Sequence, residues 1–96
     1  MRMMVEFRLP TTEEVNEKIR DGSIGQTMET MLGNLQPEAA YFCPRDGKRG
    51  GYLFFNMEED SESVTKLEPF WLELGATIET VPCMSADDLR AGLQRL

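Results

Sequence analysis

Asp46 and Gly47, near the middle of the chain, place the tightest constraint on its fold. They separate two apolar runs, 39–43 and 51–57, and an Asp-Gly pair between such runs is typical of a type I′ β-hairpin. The second run is apolar on both sides, as in a strand that is covered on both faces. The sequence therefore predicts an antiparallel hairpin whose second strand is central in a sheet.

The register of this hairpin decides which side chains share a face of the sheet. With the Asp-Gly pair as the turn, Tyr41 lies opposite Tyr52. A bulge at Gly50-Gly51 would instead shift the pairing by one residue and exchange the two faces. The residues alone leave both registers open.

One further strand, together with a helical region, is predicted on each side of the hairpin. Residues 3–9 alternate between apolar and polar, which predicts a strand, and residues 76–81 predict a last strand. Apolar residues at helical spacing predict helices within 11–35 and 61–74, the first of them in one bent piece or in two. A final helix follows a capping box that begins at Ser85.

Local signals also predict where the helices begin and what they bury. Thr11 and Ser23 each stand three residues before a Glu or Gln, the spacing of a capping box. Pro69 lies inside a helical pattern and predicts a kink or a restart of the helix. Trp71 shares the apolar spacing of that helix and is expected in the core.

Two β-α-β units joined by a hairpin define a fold class. This order predicts an α+β, ferredoxin-like fold, β-α-β-β-α-β, with a four-stranded antiparallel sheet and an extra C-terminal helix. The helices cover one face, and the first and third strands are central. A chain of 96 residues suits one core, so residues 1–96 are expected to form a single domain.

Charge and the lack of histidine exclude several functions. The net charge of −7 repels polyanions, so neither nucleic acid nor an anionic membrane surface is an expected partner. Residues 48–55 are similar in composition to the basic, aromatic motif of RNA-recognition domains, but the aromatics are out of register and Glu6 would repel phosphate. Without histidine, Ser-His-Asp and Cys-His catalysis are excluded. No apolar run approaches the ~20 residues of a membrane span, so we expect a soluble, cytoplasmic protein.

Cysteines and acidic residues give no sign of a metal or cofactor. Cys43 and Cys83 match no metal or redox spacing, and we expect reduced, packed thiols. The acidic run 58–62 lacks the spacing and the glycine of a calcium loop, so it is expected to be a solvated loop. The glycines serve the hairpin and form no phosphate-binding loop, so we expect neither a metal nor a cofactor.

The order and length of the elements resemble the dimeric α/β-barrel superfamily, which includes isomerases similar to muconolactone isomerase and cofactor-free monooxygenases. The run Pro37-Glu38-Ala39-Ala40-Tyr41-Phe42 and the segment Glu68-Pro69-Phe70 look like small uncharacterised bacterial members. No catalytic motif of a characterised member is matched. The resemblance therefore implies a fold and dimerisation, and implies no reaction.

The face of the sheet that the helices leave bare also favours a homodimer. Five of its nine expected side chains are apolar or aromatic, too many to leave uncovered on one continuous surface. Two such faces packed together would cover them and leave a cavity for a small ligand. The nine are Met4, Glu6, Arg8, Tyr41, Tyr52, Phe54, Asn56, Glu79 and Val81.

Seven of these residues form the candidate ligand site, namely Glu6, Arg8, Tyr41, Tyr52, Phe54, Asn56 and Glu79. Arg8 can bind a carboxylate or phenolate, and Glu6 or Glu79 can act as a base if burial raises its pKa. Such a lining suits a small aromatic or lactone, which makes a cofactor-free isomerase or monooxygenase the alternative function. The plainer interpretation is that the charged residues form ion pairs across a dimer interface and the tyrosines simply pack.

Overall fold

The fold is built on one four-stranded sheet with helices on one side of it. The structure, a computed structural model, describes all residues 1–96. The elements in chain order are β1 (Arg2–Arg8), α1 (Glu13–Arg20), α2 (Ser23–Leu35), β2 (Ala39–Phe42), β3 (Gly50–Asn56), α3 (Glu62–Leu74), β4 (Thr77–Pro82) and α4 (Ala86–Leu93).

The sheet has the strand order β2-β3-β1-β4, and every neighbouring pair is antiparallel. β1 and β3 are therefore central, as predicted. The fold is α+β and ferredoxin-like, because two β-α-β crossovers flank the β2–β3 hairpin. The long first crossover contains two helices, which settles the alternative that the sequence left open.

The hairpin has the predicted turn, and its register is the first of the two that the sequence left open. Asp46 and Gly47 have φ angles of 51° and 74°, and positive φ at both positions defines a type I′ turn. Tyr41 pairs with Tyr52, and the pairing continues without a bulge. The alternative register, in which Gly50-Gly51 forms a bulge, is wrong.

Gly50 and Gly51 instead permit a close approach between strands. A Cβ atom on Gly51 would lie 2.2 Å from the carbonyl oxygen of Tyr41, and one on Gly50 would lie 2.2 Å from that of Phe7. No side chain fits at these distances. The two glycines are needed because β3 is packed tightly between β2 and β1.

The core lies between the sheet and helices α1–α3. In β1, alternate residues are buried, and the same face of β3 contributes further buried side chains. Phe7 packs against Phe70 of α3 with ring centroids 5.8 Å apart. The most deeply buried large side chains are Val5, Phe7, Leu35, Leu53, Phe55 and Phe70.

Two helices begin one residue away from the predicted caps. Thr12, and not Thr11, caps α1, because its hydroxyl accepts a hydrogen bond from the Val15 N–H at 3.3 Å. Gly22, and not Ser23, is the N-cap of α2. The N–H of Ser23 is bound instead by the carboxylate of Asp21, at 2.8 Å.

α3 continues through Pro69 without restarting, contrary to one of the predicted outcomes. Proline lacks the N–H that would bind the carbonyl oxygen of Thr65, four residues earlier. The side-chain amide of Asn34 in α2 donates to that oxygen at 2.7 Å. A neighbouring helix thus replaces the hydrogen bond that the proline removes.

Only one side of α3 is buried. Leu67, Phe70 and Leu74 reach the core, whereas Val64 and Trp71 are exposed. The prediction that Trp71 belongs to the core is therefore wrong. The apolar stripe of α3 is wider than the strip of sheet that it covers.

α4 extends away from the rest of the chain. The predicted capping box is present, with Ser85 and Asp88 each binding the backbone N–H of the other. No residue of α4 is buried. The radius of gyration is 15.2 Å, against about 12.5 Å for a compact domain of this length.

Candidate functional site

The candidate site lies on the sheet face opposite helices α1–α3, which we call the open face. Alternation along β1 directs Val5 and Phe7 to the core and Glu6 and Arg8 to the open face. The strand registers place the remaining members on the same side. The open face consists of Arg2, Met4, Glu6, Arg8, Ala39, Tyr41, Tyr52, Phe54, Asn56, Thr77, Glu79 and Val81.

Four predicted site residues form a single row across all four strands. Glu6 pairs with Glu79 on one side and with Tyr52 on the other, and Tyr52 pairs with Tyr41. Two carboxylates directly opposite each other are destabilising unless a cation lies near both. Glu6 is the more shielded of the two, with 16% of its side chain exposed against 69% for Glu79.

Arg8 is the cation that lies near both carboxylates. Its Nη2 lies 3.7 Å from Glu79 Oε1, and its Nε lies 4.0 Å from Glu6 Oε1. Its Nη1 donates a hydrogen bond to Asp46 in the hairpin turn. The Nε itself is buried without a hydrogen-bond partner, because Glu6 lies beyond hydrogen-bond distance.

A second arginine, Arg45, reaches Glu6 from the hairpin. Its Nε donates to Glu6 Oε1 at 3.3 Å, and its guanidinium lies 5.6 Å from the centre of the Tyr52 ring. The hydrogen bond to Glu6 raises the pKa of Arg45 above its usual value, with a further contribution from Tyr52. We call Glu6, Arg8, Arg45, Asp46 and Glu79 the ionic cluster.

Arg45 and Asp46 are not among the site residues predicted from the sequence. A signal was present, because position 45 has the same parity as Tyr41 and so faces the same side of the extended hairpin. Asp46 gave no comparable signal, since its place beside Arg8 depends on the geometry of the turn.

The ionic cluster pairs its own charges. Both arginines bind carboxylates of the cluster, and three carboxylates with two arginines leave a net charge of −1. Each of these pairs has at least one partly exposed partner or a long separation, and such pairs contribute only about 0–1 kcal/mol each to stability. The arrangement therefore holds two strands and the hairpin turn in register, and leaves no free guanidinium to bind a substrate.

An apolar row lies next to the ionic cluster. Phe54 and Met4 face each other on the central strands, with Ala39 and Val81 on the edge strands. Phe54 and Met4 are half-buried and Val81 is exposed. This row and the two tyrosines give the open face a continuous apolar and aromatic surface.

Asn56 stands apart from the other predicted site residues. It pairs with Arg2 at the far end of the sheet, about 20 Å along β1 from Arg8 at the usual rise per residue. Its side-chain oxygen accepts a hydrogen bond from the N-terminal amino group at 3.0 Å. The structure thus brings Glu6, Arg8, Tyr52 and Glu79 together and places Asn56 elsewhere.

The far end of the open face contains a shallow depression of about 440 Å³. We call it the rim depression; it is lined by Arg2, Glu38, Ala39, Tyr41, Phe54, Cys83, Met84 and Ser85. Arg2 is bound to Glu38, a contact that raises its pKa above the usual value. Neither Arg8 nor Glu6 lines this depression, so a small ligand held by Arg8 stays a prediction.

Two further depressions lie on the helical side. One of about 510 Å³ separates α2 from α3, and one of about 390 Å³ lies between α1 and the end of α3.

No group of three or more potential metal ligands is clustered anywhere in the chain. Both cysteines are free thiols and half-buried. None of the four helices is long and apolar enough to cross a membrane.

Comparison with known proteins identifies no family for the chain. No protein-family model matches the chain, and no curated protein is similar to it. Among solved structures, a de novo designed protein, Ferredog-Diesel, is similar over 85% of both chains, with 10% sequence identity and a TM-score of 0.46. The chain is thus a small ferredoxin-like α+β protein, an assignment that rests on its own strand order and crossovers.

Proposed function

We propose that this protein is a non-catalytic homodimer in which the open faces of two copies pack together. The observation that carries the proposal is the uncovered apolar and aromatic surface of the open face. Tyr41 has 64% of its surface exposed and Val81 45%, and both adjoin the half-buried row of Phe54 and Met4. A surface of this kind on a small protein is typical of an interaction site.

The charges of the open face support a second copy as the occupant. The whole chain carries −7. The open face with its borders at Glu38 and the hairpin turn carries three arginines, Lys48 and four carboxylates, a net charge of zero. Most of the repulsion between two copies therefore arises away from this surface, so self-association there is electrostatically tolerated.

The exposed area of the single chain points the same way. A folded monomer of 10.9 kDa exposes about 5,600 Å² by the usual scaling with mass. This chain exposes 6297 Å². The excess fits a subunit that buries surface when it associates.

The enzyme alternative finds less support in the geometry. A cofactor-free isomerase or monooxygenase needs a cavity where Arg8, a glutamate and a tyrosine converge on one point. Here Arg8 and Glu6 are bound within the ionic cluster, and the rim depression contains neither. The charged residues are paired, as in the plainer interpretation, but within one chain and not across an interface.

Sedimentation equilibrium of two matched variants tests the dimer. Val81→Lys puts a charge into the proposed interface, and Val64→Lys makes the same change on α3, where 61% of the valine is exposed. Burying an unpaired lysine in each copy should raise the dissociation constant at least about 100-fold. Val64→Lys should change it less than about threefold.

Two outcomes would contradict the proposal. The wild type could sediment as a 10.9 kDa monomer up to millimolar concentration. Alternatively, the two lysine variants could weaken association equally, which would place the interface elsewhere.

A further inference from the structure

We infer that α4 is an exchanged arm, packing its leucine stripe against the open face of the second copy at the rim depression. This inference rests on the homodimer proposed above and adds the element that completes its interface. The stripe consists of Leu89, Leu93 and Leu96, with Met84 just before the helix.

About half of the surface of the stripe leucines within α4 is left uncovered by their own chain. Leu89 is 50% exposed and Leu93 56% exposed, and no residue of α4 is buried. The helix has only eight residues, whereas isolated helices shorter than about 12–15 residues are marginal in water. A helix this short is stable only when its apolar side packs against another surface.

The contacts that α4 does make fix its starting point. The capping box at Ser85 and Asp88 lowers the pKa of Asp88, because the backbone N–H of Ser85 donates to its carboxylate. Arg2, on the open face, donates to Asp88 at 3.2 Å. These bonds orient the first turn and leave the leucine stripe uncovered.

The root of α4 lies at the edge of the proposed interface. Cys83, Met84 and Ser85 line the rim depression together with Tyr41 and Phe54. When two open faces pack together, each rim lies beside the other copy. An arm that leaves the chain at this point therefore reaches the second copy without crossing its own sheet.

The area of the sheet alone is small for a stable dimer. Four strands of up to seven residues present a face of roughly 400 Å², from the usual strand spacing and rise. Two such faces bury about 800 Å², below the ~1,200 Å² of a standard interface. The eight residues of α4 form a helix about 12 Å long and 10 Å wide, so two exchanged arms bring the buried area to about 1,300 Å², within the standard range.

Charge does not oppose this contact. Residues 86–96 carry two aspartates and two arginines, a net charge of zero in a chain of −7. The arm and the open face are thus two nearly neutral surfaces of an acidic protein. Their contact buries leucine against tyrosine and phenylalanine with little repulsion.

A matched pair of double variants tests the arm. Leu89→Glu/Leu93→Glu places two carboxylates on the stripe, and Ala91→Glu/Gln94→Glu places two on the opposite side, one in the helix and one at its C-cap. The stripe variant should raise the dimer dissociation constant at least 100-fold, equivalent to about 2.8 kcal/mol. The control should stay within about threefold of the wild type.

Hydrogen exchange then identifies the surface that α4 covers. The amides of residues 86–93 should be protected at concentrations where the dimer forms and should lose protection on dilution. In Val81→Lys they should be unprotected at every concentration. Protection that does not depend on concentration would mean that α4 folds onto its own chain and would overturn the inference.

These experiments distinguish a wrong proposal for α4 from a wrong proposal for the dimer. Suppose that the wild type dimerises, that Val81→Lys disrupts the dimer, and that the two α4 double variants have the same dissociation constant. The proposal that α4 is an exchanged arm is then wrong, and the proposed dimer remains supported. If the wild type never dimerises, the proposed function itself has failed.

Discussion

Replacing Gly51 with alanine should destabilise the protein, although the same change at Gly33 should stabilise it. A Cβ on Gly51 would lie 2.2 Å from the carbonyl oxygen of Tyr41 and 3.0 Å from the Cα of Phe42. Both atoms belong to the backbone of β2, so no side-chain rotation relieves the clash. Gly33 lies in α2 with nothing within 4 Å of the added methyl group.

The expected magnitudes follow from these distances. Ordinary contact begins at 3.4 Å, so β2 must withdraw by more than about 1 Å, which breaks hydrogen bonds of the hairpin. Overpacking costs about 1–3 kcal/mol, and each lost hydrogen bond about 0.5–1.5 kcal/mol. Reduced freedom of the unfolded chain returns about 0.5–1 kcal/mol. We expect a net loss of about 2–3 kcal/mol for Gly51→Ala and a gain of about 0.5–1 kcal/mol for Gly33→Ala.

Urea unfolding at one fixed protein concentration measures the free energy of unfolding of both variants, and thermal unfolding measures their melting temperatures. The melting temperature of Gly51→Ala should fall by about 10 °C or more, since 1 kcal/mol shifts a domain of this size by about 4–8 °C. Equal effects of the two substitutions, or a stable Gly51→Ala, would refute the close packing of β2 against β3.

Two further predictions concern α3. Asn34→Ala should cost about 1 kcal/mol in the wild type and almost nothing in a Pro69→Ala background, because alanine at position 69 supplies an N–H for the Thr65 carbonyl; additive effects in a urea double-mutant cycle would count against the bridging role of Asn34. Glu62→Gln should destabilise the protein at pH 7 but not in acid. The pKa of Glu62 lies below its ordinary 4.5, because the backbone N–H groups of Glu59 and Glu58 donate to its carboxylate. Its contribution is therefore complete above pH 4.5 and is lost as the pH falls through the lowered pKa. A gap between variant and wild type that is the same at pH 7 and pH 3 would contradict this.

The sheet could be predicted from the sequence because its signals reinforce one another. The Asp46-Gly47 pair places the hairpin turn, and the alternation in β1 indicates the faces, although a bulge at Gly50-Gly51 could be excluded only from the structure. The exact helix starts could not be predicted, because the capping-box spacing from Thr11 to Glu14 favours Thr11, whereas the adjacent Thr12 is the N-cap in the structure. Pro69 was misleading because the amide that compensates for it, from Asn34, comes from a different helix.

The open face was predicted more fully than its contacts were. Strand parity placed Glu6, Arg8 and Tyr52 on one surface, as the structure does. Ion pairs depend on how far each side chain reaches and in which direction, so parity could not show that Arg45 and Asp46 would bind the charges of Glu6 and Arg8. The exposure of Trp71 likewise depends on the width of the sheet. The spacing of apolar residues in one helix does not contain this information.

Contacts between copies can be observed directly by NMR in a mixture of two differently labelled preparations of the protein. Isotope-filtered spectra of this mixture report only those methyl and aromatic protons that approach each other from different copies. We predict cross-peaks from the methyl groups of Met4 and Val81 to the rings of Tyr41 and Phe54. Cross-peaks from Val64 instead, or none to the open face in a dimeric sample, would contradict the proposal that the open face is the interface.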